Sequence, residues 1–208
     1  MISFDPKKVT TVVFDWGGVF GNPAEPFASL ALQEALGGMD VDTIADKARD
    51  LYDGHYRGEF SSEDFYRKIL KHYGLEEAGE LTPANLAEAY IGSYTLYPET
   101  LEIARRLKAK YTVGLISNLS PVMRDHIREA HRTRQIFDPE VYSCDPNIQT
   151  IKPGPEIFLK FLELAEKEAT ECLFIDDGQK NLDAAATLGF QTLHFTTPEQ
   201  FAEDISPL

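Results

Sequence analysis

Four polar clusters along the chain consist of residue types that handle phosphate and metal. Asp15 closes the apolar run VVFD, Ser117 and Asn118 follow YTVGLI, Lys152 lies in the loop NIQTIKPGP, and Asp176 with Asp177 closes CLFIDD. Two or three carboxylates brought together suit a hard cation such as Mg²⁺, which takes oxygen ligands and commonly shares them with phosphate. The Ser117 hydroxyl and the Lys152 ammonium would then hold phosphoryl oxygens. Each cluster taken singly has an ordinary explanation. Asp15 before glycines starts a turn, Ser117 and Asn118 cap a helix, Asp176-Asp177 makes a strand-to-helix turn, and Lys152 is a solvated surface residue. The combination at successive strand ends is what points to a site.

The elements that must carry these groups alternate. VVFD reads as a buried strand, and Pro98 to Lys108 as a helix with Leu101, Ala104 and Leu107 on one face. Tyr111 to Ile116 is the next strand, followed by a helix from Pro121 to about His131. Val141 to Ser143 reads as a short strand, EIFLKFLELAEK as a helix, Cys172 to Asp176 as a strand, Asn181 to Leu188 as a helix and QTLHF as the last strand. Alternation of this kind gives an α/β fold, a Rossmann-like parallel sheet core flanked by helices and joined by right-handed crossovers. In such sheets the carboxyl ends of the strands share a crevice where ligands bind.

Residues from about Asn22 to Tyr94 differ. PFASLALQEAL, VDTIADKARDLY, SSEDFYRKILKHY and PANLAEAYIGSY all carry helical periodicity, Ser61 and Asp64 are spaced as a capping pair, and Gly54, Gly58 and Gly74 mark turns. The segment reads as an all-helical insertion after the first strand. The expected organisation is an α/β core from 1–20 and 96–208, with 21–95 inserted.

A chain of 208 residues, 43% hydrophobic and 11% aromatic, has enough apolar surface for a sizeable core. The N-terminus lacks the apolar stretch and small-residue cleavage site of a signal peptide, and no run approaches membrane-spanning length, so a cytoplasmic location is expected. Cys144 and Cys172 are not in a paired metal spacing and read as buried thiols. With 20 Lys+Arg against 34 Asp+Glu, the net charge of −14 argues against nucleic-acid and anionic-membrane partners. A small anionic substrate stays compatible, because a lysine or metal reverses the field locally.

These motifs, in this order, resemble the haloacid dehalogenase-like (HAD) hydrolases: VVFDWGG as the first, LISNLS as the second, IKPGPEIF as the third and FIDDGQKN as the fourth, with a helical cap inserted after motif one. Within that family the chain is similar to small sugar-phosphate phosphatases with an Asp-x-Gly first motif, and HYRGEFSSEDF looks like a common cap segment. The resemblance implies an Asp15 nucleophile acting on a small phosphorylated metabolite. It also implies phosphate contacts from Ser117, Asn118 and Lys152, and backbone groups of Trp16 and Gly17 turned toward phosphoryl and metal. Mg²⁺ would be held by Asp15, the Gly17 carbonyl and Asp177, with Asp176 as a ligand or as support behind them. His55, Tyr56 and Arg57 are the candidate cap contacts. The chain departs from the pattern twice. Many family phosphatases carry a general-acid Asp two residues after the nucleophile, where this chain has Gly17, and Gln149 replaces the usual glycine three residues before Lys152. A substrate with a good leaving group needs no such acid, His55 could supply it, or the chain binds phosphometabolites without turnover. Carbon-halogen hydrolysis, another family activity, is disfavoured by the acidic Asp176-Asp177 pair, since that branch works without metal.

Overall fold

Five short runs rich in β-branched and aromatic residues pair into one parallel sheet in the computed structural model, which describes residues 4–24, 26–76, 79 and 81–208. The strands are β1 (Thr11–Phe14), β2 (Thr112–Ser117), β3 (Glu140–Tyr142), β4 (Cys172–Asp176) and β5 (Gln191–His194), in the order β3-β2-β1-β4-β5. All neighbours are parallel. Central β1 sets Val12 beside Val113 on one side and Leu173 on the other. From β1 the chain builds outward to β2 and β3, then returns to the other side for β4 and β5. β1 therefore borders the point where strand order reverses, the place where such sheets bind ligands. Its residues are wholly buried because both faces of a parallel sheet are covered.

Alternate side chains divide between the two faces. Val12 and Phe14 join Phe20, Phe137 and Phe201 on one side; Val13 joins Ile116, Phe158, Phe161 and Phe174 on the other. Helices α1 (Leu30–Ala35), α2 (Val41–Lys47), α3 (Arg49–Tyr56), α4 (Ser62–His72) and α5 (Pro83–Gly92) lie between β1 and the next strand, and they precede α6 (Pro98–Leu107). Phe65, Tyr66 and Tyr90 from this helical stretch share a continuous apolar cluster with Trp16 and Phe20. The remaining helices are α7 (Pro121–His131), α8 (Pro155–Ala165), α9 (Gln179–Thr187) and α10 (Pro198–Asp204). Hydroxyl or carboxylate caps start many of them: the Ser61 hydroxyl accepts from the Asp64 amide at 3.1 Å, and Ser120 and Thr197 do the same for α7 and α10.

Some boundaries differ from those read in the sequence. VDTIADKARDLY divides at Ala48 into α2 and α3, and only Leu30–Ala35 of the first helical run is helical. Gly54 lies inside α3 and marks no turn; a Cβ there would sit 2.7 Å from the Phe60 ring, so the glycine serves close packing. The helix α10 and the 3₁₀ turns Thr133–Gln135 and Ala169–Glu171 were not anticipated. Both cysteines are buried and free. Among the described residues no helix is long and apolar enough to cross a membrane.

Candidate active site

The strand ladder runs one residue beyond β1, because the Asp15 amide donates to the Ile175 carbonyl at 2.9 Å. That bond places the Asp15 carboxylate at the carboxyl edge of the sheet. Its Oδ1 accepts from the Trp16 amide and from the Ser117 hydroxyl at the end of β2, both at 2.7 Å. Its Oδ2 lies 2.9 Å from Lys152 Nζ, and the same ammonium reaches Asp176 Oδ2 at 2.6 Å. Lys152 is 4% exposed, so its sequence reading as a surface residue is excluded. Asn118 fixes its backbone: the Lys152 amide donates to Asn118 Oδ1 at 2.8 Å, and Asn118 Nδ2 donates to the Lys152 carbonyl at 3.0 Å. The loop before it keeps a glycine-like turn without glycine, since Gln149 itself takes the left-handed conformation with φ 47°.

Asp176 is fully buried and further occupied by the Gly178 amide at 2.7 Å and Asn181 Nδ2 at 3.0 Å. Asp177 is exposed and lies against Gly18, where a Cβ would come within 2.1 Å of its Oδ2 and where φ is 78°. Glycine is required there on both counts. Oxygens of Asp15, Asp176 and Asp177 all lie within 4.8 Å of one another. Three carboxylates against the Lys152 ammonium leave a formal excess of two negative charges. Burial pushes the Asp15 carboxyl upward against the lowering pull of Lys152, and burial together with Asp176 raises Asp177. Burial disfavours the Lys152 ammonium, yet Asp15 and Asp176 hold its pKa above the ordinary value. A hard oxygen donor set short of two positive charges fits a divalent cation such as Mg²⁺.

The structure does not bring every candidate to this place. His55 is 0% exposed, stacks on Phe65 at 4.0 Å and 3° between rings, and has no hydrogen-bond partner on either ring nitrogen. Burial pushes its pKa down to about 3, so it stays a neutral core residue and is no proton donor near neutrality. Arg57 pairs with Glu59 at 2.7 Å and does not line the crevice. Tyr56 does. Trp16 contributes its amide to Asp15 while its ring is buried against Phe20 and His131. The Ser117 hydroxyl and the Asn118 amide are likewise committed, to Asp15 and to the Lys152 backbone. The crevice in front of Asp15, about 190 Å³, is also lined by Tyr52, Tyr94 and Met123, which the sequence reading missed. Tyr52 and Tyr56 are four apart on α3, a spacing that puts both on one helix face and could have flagged the pair.

Residues 9–189 match the family model for haloacid dehalogenase-like hydrolases. The chain belongs to this family. It is 27% identical over 203 residues to D-ribitol-5-phosphate phosphatase of Bacteroides thetaiotaomicron, covering 94% of both chains. Among solved structures, a HAD family enzyme from the same organism superposes with a TM-score of 0.80 at 20% identity, over 94% of this chain and 97% of that one. The wild-type form of that enzyme in complex with magnesium and inorganic phosphate gives 0.73 at 21% identity, over 90% and 94%. At these identities the structural likeness establishes the shared fold.

Proposed function

We propose that this hydrolase is a Mg²⁺-dependent phosphatase that removes phosphate from a small phosphorylated metabolite, such as a sugar phosphate, through an aspartyl-phosphate on Asp15. The carrying observation is the buried Lys152 ammonium bridging Asp15 and Asp176, with Asp177 beside them. The name of the ribitol-phosphate relative and the magnesium and phosphate in the complex of the structural relative support the same reading. Asp15, the Gly17 carbonyl and Asp177 would hold the cation, with Asp176 behind them. Bound there, Mg²⁺ supplies positive charge against the phosphoryl oxygens and lets two anions approach.

The chain's own residues do the rest. Ser117 and the Trp16 amide fix Oδ1 and so orient the whole carboxylate, leaving Oδ2 to meet phosphorus. Lys152, held charged by Asp176, turns from Oδ2 to a phosphoryl oxygen as the anion arrives. Water then hydrolyses the acyl phosphate and restores Asp15. Residues 21–95 act as a helical cap that closes over the site and excludes bulk water. The test is phosphate release from an aryl phosphate with added Mg²⁺ and with chelator, for the native chain and for Asp177→Ala. Activity that is Mg²⁺-dependent in the native chain and mostly lost in the variant supports the reading; activity indifferent to chelator overturns it. Gly17, which leaves the usual acid position without a carboxylate, favours a second reading as a phosphometabolite-binding protein. In that case inorganic phosphate binds with Mg²⁺ and no ester is turned over.

A further inference from the structure

The crevice has two chemically different parts. Asp15, Gly17, Asn118 and Asp177 make the part that would receive phosphate and cation; Tyr52, Tyr56, Tyr94, Leu119, Met123 and Pro23 make most of the rest, where the Asn22 side chain is bonded to the Ser93 and Thr95 backbone. Among the described lining residues, Asp15 and Asp177 are the only charged side chains, and both belong to the first part. The nearby cations are spent elsewhere. Lys152 sits between two carboxylates, Arg57 is paired with Glu59, and Arg124 with Asp125 and Asp145.

The aromatic part is held in place. The rings of Tyr52 and Tyr56 are 4.7 Å apart, and the Tyr56 carbonyl accepts a 2.6 Å hydrogen bond from the Ser143 hydroxyl. The Tyr94 ring packs so closely on Gly21 that a Cβ there would lie 2.4 Å from it, and Gly21 is itself bridged to Gly17. The Tyr52 and Tyr56 rings are tilted 33° to each other, and ring surface is what α3 offers the crevice. Burial raises the Tyr56 and Tyr94 phenols well above their ordinary value, so both stay neutral throughout the working pH range.

We propose, resting on the phosphatase reading above, that this site selects phosphomonoesters whose leaving group is uncharged and presents a flat or CH-rich face of about one ring, and rejects leaving groups bearing a further carboxylate, phosphate or ammonium. A second anionic group would lose its water against rings with no cation to receive it, beside carboxylates that repel it. An ammonium would find only Asp177, in competition with the metal. An uncharged ring or polyol face packs on tyrosine without that desolvation penalty. The volume caps the size at about one ring, since a cavity of about 150 Å³ holds a benzene molecule, and the crevice of about 190 Å³ must take the phosphoryl group as well.

The experiment compares benzyl phosphate with its para-carboxy and para-aminomethyl analogues, which leave through nearly identical alcohols and so separate charge from leaving-group chemistry. The native enzyme with Mg²⁺ is expected to show kcat/KM about 100-fold lower on both charged esters, the scale of an unpaired charge partly desolvated. Tyr52→Lys, which puts a cation on the half-buried ring position, should recover about tenfold on the carboxy ester and none on the aminomethyl ester. Charged esters within about threefold of benzyl phosphate in the native enzyme would overturn the proposal. If none of the three esters is hydrolysed, the aryl phosphate assay above decides the catalytic reading separately. Calorimetric binding of the three corresponding phosphonates then decides selectivity alone: the same ranking upholds the proposal and equal affinities overturn it.

Discussion

At position 17 the chain carries a hydrogen where the family resemblance leads one to expect, in many phosphatases, a proton-donating carboxylate, and the surroundings tolerate a side chain there. Gly17 is outside the left-handed region, and a Cβ there would come no nearer than 4.0 Å to Pro23 Cα. Gly18, one residue on, has no such room. Gly17→Asp should therefore fold. On the proposed mechanism the departing oxygen leaves the native chain with little proton assistance, so rates should fall steeply as leaving-group pKa rises. The variant should flatten that slope, gaining up to about 10²- to 10⁴-fold on simple alkyl phosphates and little on aryl phosphates. A flat native slope would mean that another group already donates, and His55, neutral and sealed against Phe65, is not that group. Asp15→Asn is the sharper removal. The amide keeps the shape and the Ser117 contact but is neither an adequate nucleophile nor an anionic ligand, so phosphate release should stop while circular dichroism is unchanged. Retained turnover would end the aspartyl-phosphate mechanism.

Among the elements, the strands were the most legible, because each ends where an apolar run meets a polar residue: β4 ends at Asp176 and β2 at Ser117 as read. Helix starts announced by a hydroxyl cap and proline, as at Ser120-Pro121, were equally plain. The same signals stand at Thr197-Pro198 and were overlooked, so α10 was readable and missed. The break at Ala48 was not readable, since alanine favours helix. His55 was misplaced for a related reason. With Tyr56 and Arg57 it read as a cap contact, whereas the register of α3 turns the imidazole into Phe65. That burial gives a pH prediction. The folded-state pKa is depressed to about 3 from 6.5, so the unfolded chain binds the proton first as pH falls. The contribution of neutral His55 is fully present above pH 6.5 and is lost on the way down to about 3, at a slope approaching 1.4 kcal/mol per pH unit. His55→Leu, which removes two unpartnered ring nitrogens, should flatten that part of the acid limb in urea unfolding and leave stability at pH 8 unchanged or raised by about 1 kcal/mol. An acid limb as steep as that of the native chain would show that other groups carry it.

For the whole molecule, convergence of the four polar clusters followed from topology alone: parallel strands send their carboxyl ends to one edge, wherever each strand lies in the sheet. What the sequence could not specify was how the helical stretch seats on that sheet, because that depends on backbone passing close to backbone. Gly58, just beyond α3, holds φ 70°, and a Cβ there would lie 2.3 Å from the Cys144 carbonyl oxygen in the loop after β3. The Ser143 hydroxyl bonds the Tyr56 carbonyl in the same place, so this contact sets the position of Tyr52 and Tyr56 over the crevice. Gly74 supplies a control, since it has φ 67° with nothing within 4 Å of its Cβ position. Gly74→Ala should cost only the left-handed strain, about 1 kcal/mol. Gly58→Ala adds a clash with main-chain atoms that no side-chain rotation relieves, so it should cost more, about 2–4 kcal/mol in urea unfolding. It should also change activity in a particular way. Displacing α3 moves the tyrosines and leaves Asp15, Lys152 and Asp176 on the sheet untouched, so KM should rise several-fold with a smaller change in kcat, while Gly74→Ala alters neither. Equal losses of stability in the two variants, with unchanged KM in both, would mean that the Gly58–Cys144 contact does not position the helical stretch over the site.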